Sequence, residues 1–147
     1  MKDYFKELGI STINLIIPGC NLSCAYCSLA KTRHMINEPN ILQETFNSIS
    51  DGSYLDTWKK AFIKLRSNPK EIKTFEIWGQ EPTLCLKYLN PVWKDWYDYF
   101  SDIDTIGFST NGIANIEELA DFFRIVDQHA YKPINMKIQF SYDGDYG

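Results

Sequence analysis

The sequence predicts an α/β domain built on parallel strands, and three observations carry that expectation. Short apolar runs, Ile13 to Ile17, Thr74 to Trp78, Thr105 to Ser109 and Ile134 to Phe140, are separated by stretches with apolar residues at steps of three and four. Strand, helix, strand, helix in that order implies parallel strands joined by crossovers. Each run also ends in a turn of unusual residues. Parallel strands bring such ends to one rim, where ligands of barrels and open α/β sheets bind.

At 147 residues, 44% hydrophobic and 15% aromatic, the chain is long enough and apolar enough for one domain with a core of its own. It carries 15 basic and 19 acidic residues, a net charge of -4, and no block of like charges. That distribution argues against a nucleic-acid footprint and a polybasic membrane anchor. The first residues lack a signal-peptide core, and no run approaches the roughly 18 apolar residues of a membrane span. The expected location is the cytoplasm, whose reducing conditions favour metal or redox use of close cysteines over structural disulfides.

Ile13 to Ile17 reads as a short buried strand stopped by Pro18-Gly19. Residues 28–40 read as loop, with Ile41, Leu42, Phe46 and Ile49 able to form a short amphipathic helix. After Asp51-Gly52-Ser53, the stripe Leu55, Trp58, Phe62, Leu65 predicts a helix ending near Ser67-Asn68-Pro69. Thr74 to Trp78 forms the second strand and runs into Gly79-Gln80-Glu81-Pro82. Asn90-Pro91 suits the N-cap and first position of a helix whose stripe is Trp93, Trp96, Tyr97 and Phe100. Thr105 to Ser109 leads into Thr110-Asn111-Gly112, a turn signal. Asn115 and Glu118 then make a capping-box start, and Ile116, Leu119, Phe122, Phe123 and Val126 supply the buried face of the next helix. The last strand alternates strictly: Ile134, Met136, Ile138 and Phe140 on one face, and Asn135, Lys137, Gln139 and Ser141 on the other. If the apolar face packs on helices, the polar face lines a cavity, as the inner wall of an open or closed barrel does. Lys137 and Gln139 are then either cavity groups or simply solvated.

Three of the four cysteines, Cys20, Cys24 and Cys27, fall within eight residues at the end of the first strand. Their C-x3-C-x2-C spacing suits an iron-sulfur cluster with one iron open better than zinc, which wants a fourth protein ligand. Zinc remains the alternative on spacing alone. Cys85, between Leu84 and Leu86, is expected to be a buried, unreactive thiol. Glu81 sits where the backbone turns sharply, so its carboxylate is expected to be presented beyond the strand. Taken singly, its turn, Thr110-Asn111-Gly112 and Ser141-Tyr142-Asp143-Gly144 are ordinary surface turns. Four such turns in this order, each after a strand, suggest one pocket. His34 and His129 are expected to have no catalytic part.

These segments together resemble the N-terminal part of radical S-adenosylmethionine enzymes, most closely the branch of anaerobic sulfatase-maturating and other peptide-modifying enzymes. The matches are Cys20 to Cys27 with Tyr26 before the third cysteine, Gly79-Gln80-Glu81-Pro82-Thr83-Leu84 for G-G-E-P-T-L, Ser109-Thr110-Asn111-Gly112 for S-T-N-G, and Ser141-Tyr142-Asp143-Gly144 for S-x-D-G. The resemblance implies a partial (β/α) barrel and a 4Fe-4S cluster held by Cys20, Cys24 and Cys27, with S-adenosylmethionine on the fourth iron. It implies that Gly79, Gln80 and Glu81 accept hydrogen bonds from that cofactor's amino group. Ser109, Ser141 and Asn111 would meet its carboxylate or ribose, and the backbone around Tyr26 its adenine. It further implies an electron donor such as flavodoxin or ferredoxin, and hydrogen abstraction from a peptide or protein side chain.

The chain departs from that pattern twice. Gln80 stands where the family has a second glycine, and about four of six strand-helix units can be counted, so a core domain truncated on its C-terminal side is expected, with the last strand as an open edge. A small-molecule member of the family, deazapurine-forming or activase-like, is one alternative. A non-enzymatic iron-sulfur or zinc-binding module is the other.

Overall fold

A computed structural model describes residues 10–20, 39–113 and 115–141. Cys24, Tyr26, Cys27, His34 and the Tyr142 to Gly144 turn, each the subject of a sequence expectation, lie outside the described residues. Four strands, β1 (Thr12–Ile17), β2 (Thr74–Gly79), β3 (Thr105–Thr110) and β4 (Asn135–Phe140), form one sheet in the order β1-β2-β3-β4. All neighbours are parallel. The α/β class and the parallel arrangement follow the sequence expectation.

Between β1 and β2 run α1 (Pro39–Ser50) and α2 (Ser53–Leu65). They are separated by Gly52, whose φ of 84° turns the chain between them. The short α3 (Leu86–Leu89) and α4 (Trp93–Tyr99) follow β2, and α5 (Ile116–His129) joins β3 to β4. The strand side chains that are buried, Ile13, Leu15, Ile17, Phe75, Ile77, Ile106, Phe108 and Thr110, share one face of the sheet. An aromatic layer packs there: Phe75 meets Trp93 and Trp96 edge-on at 5.2 and 5.5 Å, and Phe122 meets Trp93 at 5.8 Å. Burying side chains of this size contributes about 1.5–3 kcal/mol each. Among the described residues the opposite face carries no helix, and its side chains are exposed or half-buried.

Three local expectations need correction. Asn90 is not the N-cap of α4. It lies in a 3-10 turn, and its side-chain amide donates to the Glu118 carbonyl of α5 at 3.2 Å, tying two elements together instead. Ile116 is 79% exposed, because it opens α5 beyond the reach of the layer that buries Phe122 and Val126. Phe140 is 60% exposed, because it ends an edge strand that among the described residues has no neighbour on its outer side. The Asn115 cap is as expected: its Oδ1 accepts from the Glu117 and Glu118 N–H groups at 3.0 and 3.4 Å, and its Nδ2 donates to Glu118.

Candidate functional site

The ends of β1, β2 and β3 are locked together by backbone geometry that only particular residues permit. Gly79 has φ of 128°, and a Cβ there would lie 2.0 Å from the Ile17 carbonyl oxygen. Glycine alone lets β2 leave the sheet hard against β1. The next two amides continue the contact: Gln80 N–H donates to Ile17 O at 3.2 Å and Glu81 N–H to Gly19 O at 2.8 Å. Pro82 then starts a 3-10 turn, Pro82–Cys85, with Glu81 as its N-cap.

Glu81 is wholly buried, so its carboxylate is not presented beyond the strand as the turn pattern suggested. It points inward because four donors await it. Oε1 accepts from Thr83 N–H at 3.3 Å, from the Thr83 hydroxyl at 2.5 Å and from the Thr110 hydroxyl at 2.7 Å; Oε2 accepts from Asn111 N–H at 2.8 Å. A buried carboxylate without such donors would cost several kcal/mol. Thr110 also accepts the Gly112 N–H at 3.2 Å, which holds the turn, where Gly112 takes φ of 80°. Asn111 reaches the other way: its Nδ2 donates to Cys20 Sγ at 3.8 Å.

Cys20, Gln80, Glu81 and Asn111 thus meet at one rim although they come from three strand ends. Cys20 is half-buried. Gln80 Nε2 is enclosed and has no hydrogen-bond partner among the described residues. Ser109 is exposed on the open face and, with Trp78, Gly79 and Pro82, lines a hollow of about 220 Å³. Ser141 is exposed, and its N–H donates to Thr110 O at 2.8 Å. Cys85 is completely enclosed in the core, where burial pushes its thiol far above the usual range. Such a thiol is unsuited to metal ligation. Among the described residues no three metal-binding side chains converge.

Below the rim the open face forms a trough of about 710 Å³, and Glu76, Trp78, Ser109, Lys137 and Gln139 are on its walls. Lys137 and Gln139 line this trough and are exposed to solvent there, so both readings left open by the alternation apply. Thr83, Thr110, Glu76 and Asn14 were missed. The period-two reading applied to β4 would have picked out Asn14 and Glu76, had it been applied to β1 and β2 as well.

Fold and rim together define an α/β chain in which, among the described residues, the Cys20 thiol, the buried Glu81 carboxylate and the unpartnered Gln80 amide gather at the C-terminal edge of a parallel sheet. Compared with protein-family models, curated proteins and solved structures, the chain finds no match in any of the three.

Proposed function

We propose that the chain is the core of a radical S-adenosylmethionine enzyme, a partial (β/α) barrel of the kind the sequence resemblance implies, working in a reducing cytoplasm. The observation that carries this reading is the bridge through Asn111, whose side chain meets Cys20 while its backbone N–H meets Glu81. The donor set fits a 4Fe-4S cluster. Of the four cysteines, Cys85 is sealed in the core, which leaves three thiols, Cys20, Cys24 and Cys27, to hold it. The rim also fits S-adenosylmethionine, because Gln80 Nε2 is a buried donor lacking an acceptor among the described residues, and a carboxylate would supply one.

With both groups bound, the pair supplies reductive cleavage of the sulfonium carbon–sulfur bond and a 5'-deoxyadenosyl radical that abstracts a substrate hydrogen. The chain's own residues bind and orient. Gly79 and Gln80 offer backbone carbonyls for an ammonium. Glu81, wholly enclosed, sets the shape of the loop through its bonds to Thr83, Thr110 and Asn111. Ser109, Ser141 and Asn111 offer polar contacts for the cofactor's carboxylate and ribose, and the resemblance assigns its adenine to the backbone around Tyr26. Electrons come from a flavodoxin or ferredoxin, and the substrate is a peptide or protein side chain. A second reading, a small-molecule substrate, is favoured by the charges that line the trough.

Anaerobic reconstitution with iron and sulfide tests the proposal. The expected product is a brown protein with four irons per chain that yields 5'-deoxyadenosine from S-adenosylmethionine on reduction. A colourless protein with one tetrahedral zinc overturns it. A reducible cluster that never yields 5'-deoxyadenosine favours a non-enzymatic module.

A further inference from the structure

The register of the sheet places Asn14, Glu76, Gly107 and Lys137 in one row across the open face. Gly107 contributes no side chain, so the row has a carboxylate and an ammonium with a gap between them. Glu76 Cγ and Lys137 Cβ lie 3.8 and 3.9 Å from where a Cβ on Gly107 would stand. Glu76 and Lys137 do not form an ion pair across that gap. At the end of the row, Asn14 Oδ1 is enclosed with no hydrogen-bond partner among the described residues. One pleat towards the rim, Trp78 is 60% exposed on the same face.

We infer that this row binds the free α-amino-acid group of the substrate, its ammonium on Glu76 and its carboxylate on Lys137. Two inter-strand spacings separate the two backbones by about 9.6 Å. Both side chains are long and flexible enough to part over Gly107 and admit an α-amino-acid group, which spans roughly 3 Å from nitrogen to carboxylate oxygen. Asn14 Oδ1 gives the ammonium a second acceptor beside Glu76. The side chain of the ligand then extends over Trp78 towards the rim. This inference rests on the proposed chemistry only in taking the ligand for the substrate, and it takes up the small-molecule reading, with a free amino acid as that molecule.

The test uses the ¹⁵N-labelled chain without iron or S-adenosylmethionine and follows amide shifts during titration with L-phenylalanine. Saturable shifts at Glu76, Gly107 and Lys137 are expected. N-acetyl-L-phenylalanine and L-phenylalaninamide, each lacking one charge, should bind at least about tenfold more weakly. Glu76→Gln and Lys137→Met should weaken L-phenylalanine by a similar factor, and Lys137→Arg should restore most of it. Both sites face the trough rather than the core, so unchanged circular dichroism will verify folding. Absence of saturable shifts overturns the inference, as does equal binding of the uncharged, peptide-like N-acetyl-L-phenylalaninamide. Because no cluster is present, failure here is distinct from failure of the iron reconstitution.

Discussion

Thr110 donates its hydroxyl to the buried carboxylate of Glu81 at 2.7 Å, joining the exits of β2 and β3. Both groups belong to short turns that look like surface in the sequence, yet both are enclosed. Removing one partner therefore takes a hydrogen bond from a desolvated group, where water cannot reach to replace it. Thr110→Val should cost about 1–2 kcal/mol and Glu81→Gln about 2–3 kcal/mol, the larger value because an amide nitrogen would face donors at one end. The two share a contact, so the double variant should lose less than the sum, which urea midpoints will show.

Gly79→Ala should be far more damaging than Gly52→Ala. Both glycines have positive φ, but a Cβ at Gly79 would strike the Ile17 carbonyl, whereas at Gly52 nothing lies within 4 Å. Gly52→Ala should cost about 1 kcal/mol from the left-handed backbone alone. Gly79→Ala should cost at least about 2–3 kcal/mol and loosen the β1–β2 pairing. Thermal midpoints and amide exchange in β1 separate the two.

Cysteine replacement should divide the four thiols three to one. Cys20→Ala and Cys24→Ala should abolish cluster assembly, and Cys85→Ala should keep the full iron content. In the native protein Cys85 should resist a thiol reagent at pH 8, since it is enclosed and its thiol is pushed up by burial. Iron loss in the Cys85 variant would show that the ligand assignment is wrong.

At the opposite edge of the sheet, Asp102 pairs with Lys73, which precedes β2, and with Lys132, at 2.9 Å, which precedes β4. These hydrogen bonds, that of Lys73 first, hold its carboxyl down at about 2. A carboxylate depressed on folding contributes stability above its unfolded pKa, and that contribution is lost as the pH falls through the folded one. The stability gap between the native chain and Asp102→Asn should be constant above about pH 5. It should close between about pH 4 and pH 2, and narrow in high salt because the carboxylate is half-exposed. Urea midpoints across that range check it.

The strands and main helices were legible because apolar period and turn residues agree in each. Phe122 and Val126 are buried as their spacing implied, and Asn115 caps α5. What was not legible depends on partners distant in sequence. The pattern around Glu81 says only that the chain turns; Thr83 supplies two local donors, but the inward-facing site is completed by Thr110 and Asn111, 29 and 30 residues on. Asn90 looked like a cap because Asn-Pro suits that position, until a carbonyl on α5 claimed its amide. Ile116 and Phe140 fit their apolar stripes but lie at ends, where periodicity cannot say how far the core extends.

The sequential strand order has a consequence for how the molecule assembles in time. Thr12 pairs with Thr74, about twice as far along the chain as Thr74 lies from Thr105 or Thr105 from Asn135. Doubling a loop adds only about 0.6 kcal/mol of closure entropy, roughly a threefold handicap, but it falls entirely on β1. The three later strands are thus placed to pair first, with the strand that leads into Cys20 docking last. The polypeptide would then pass through a stage in which Glu81 and Asn111 are already in position while the Cys20 thiol, which Asn111 meets in the finished sheet, is still outside.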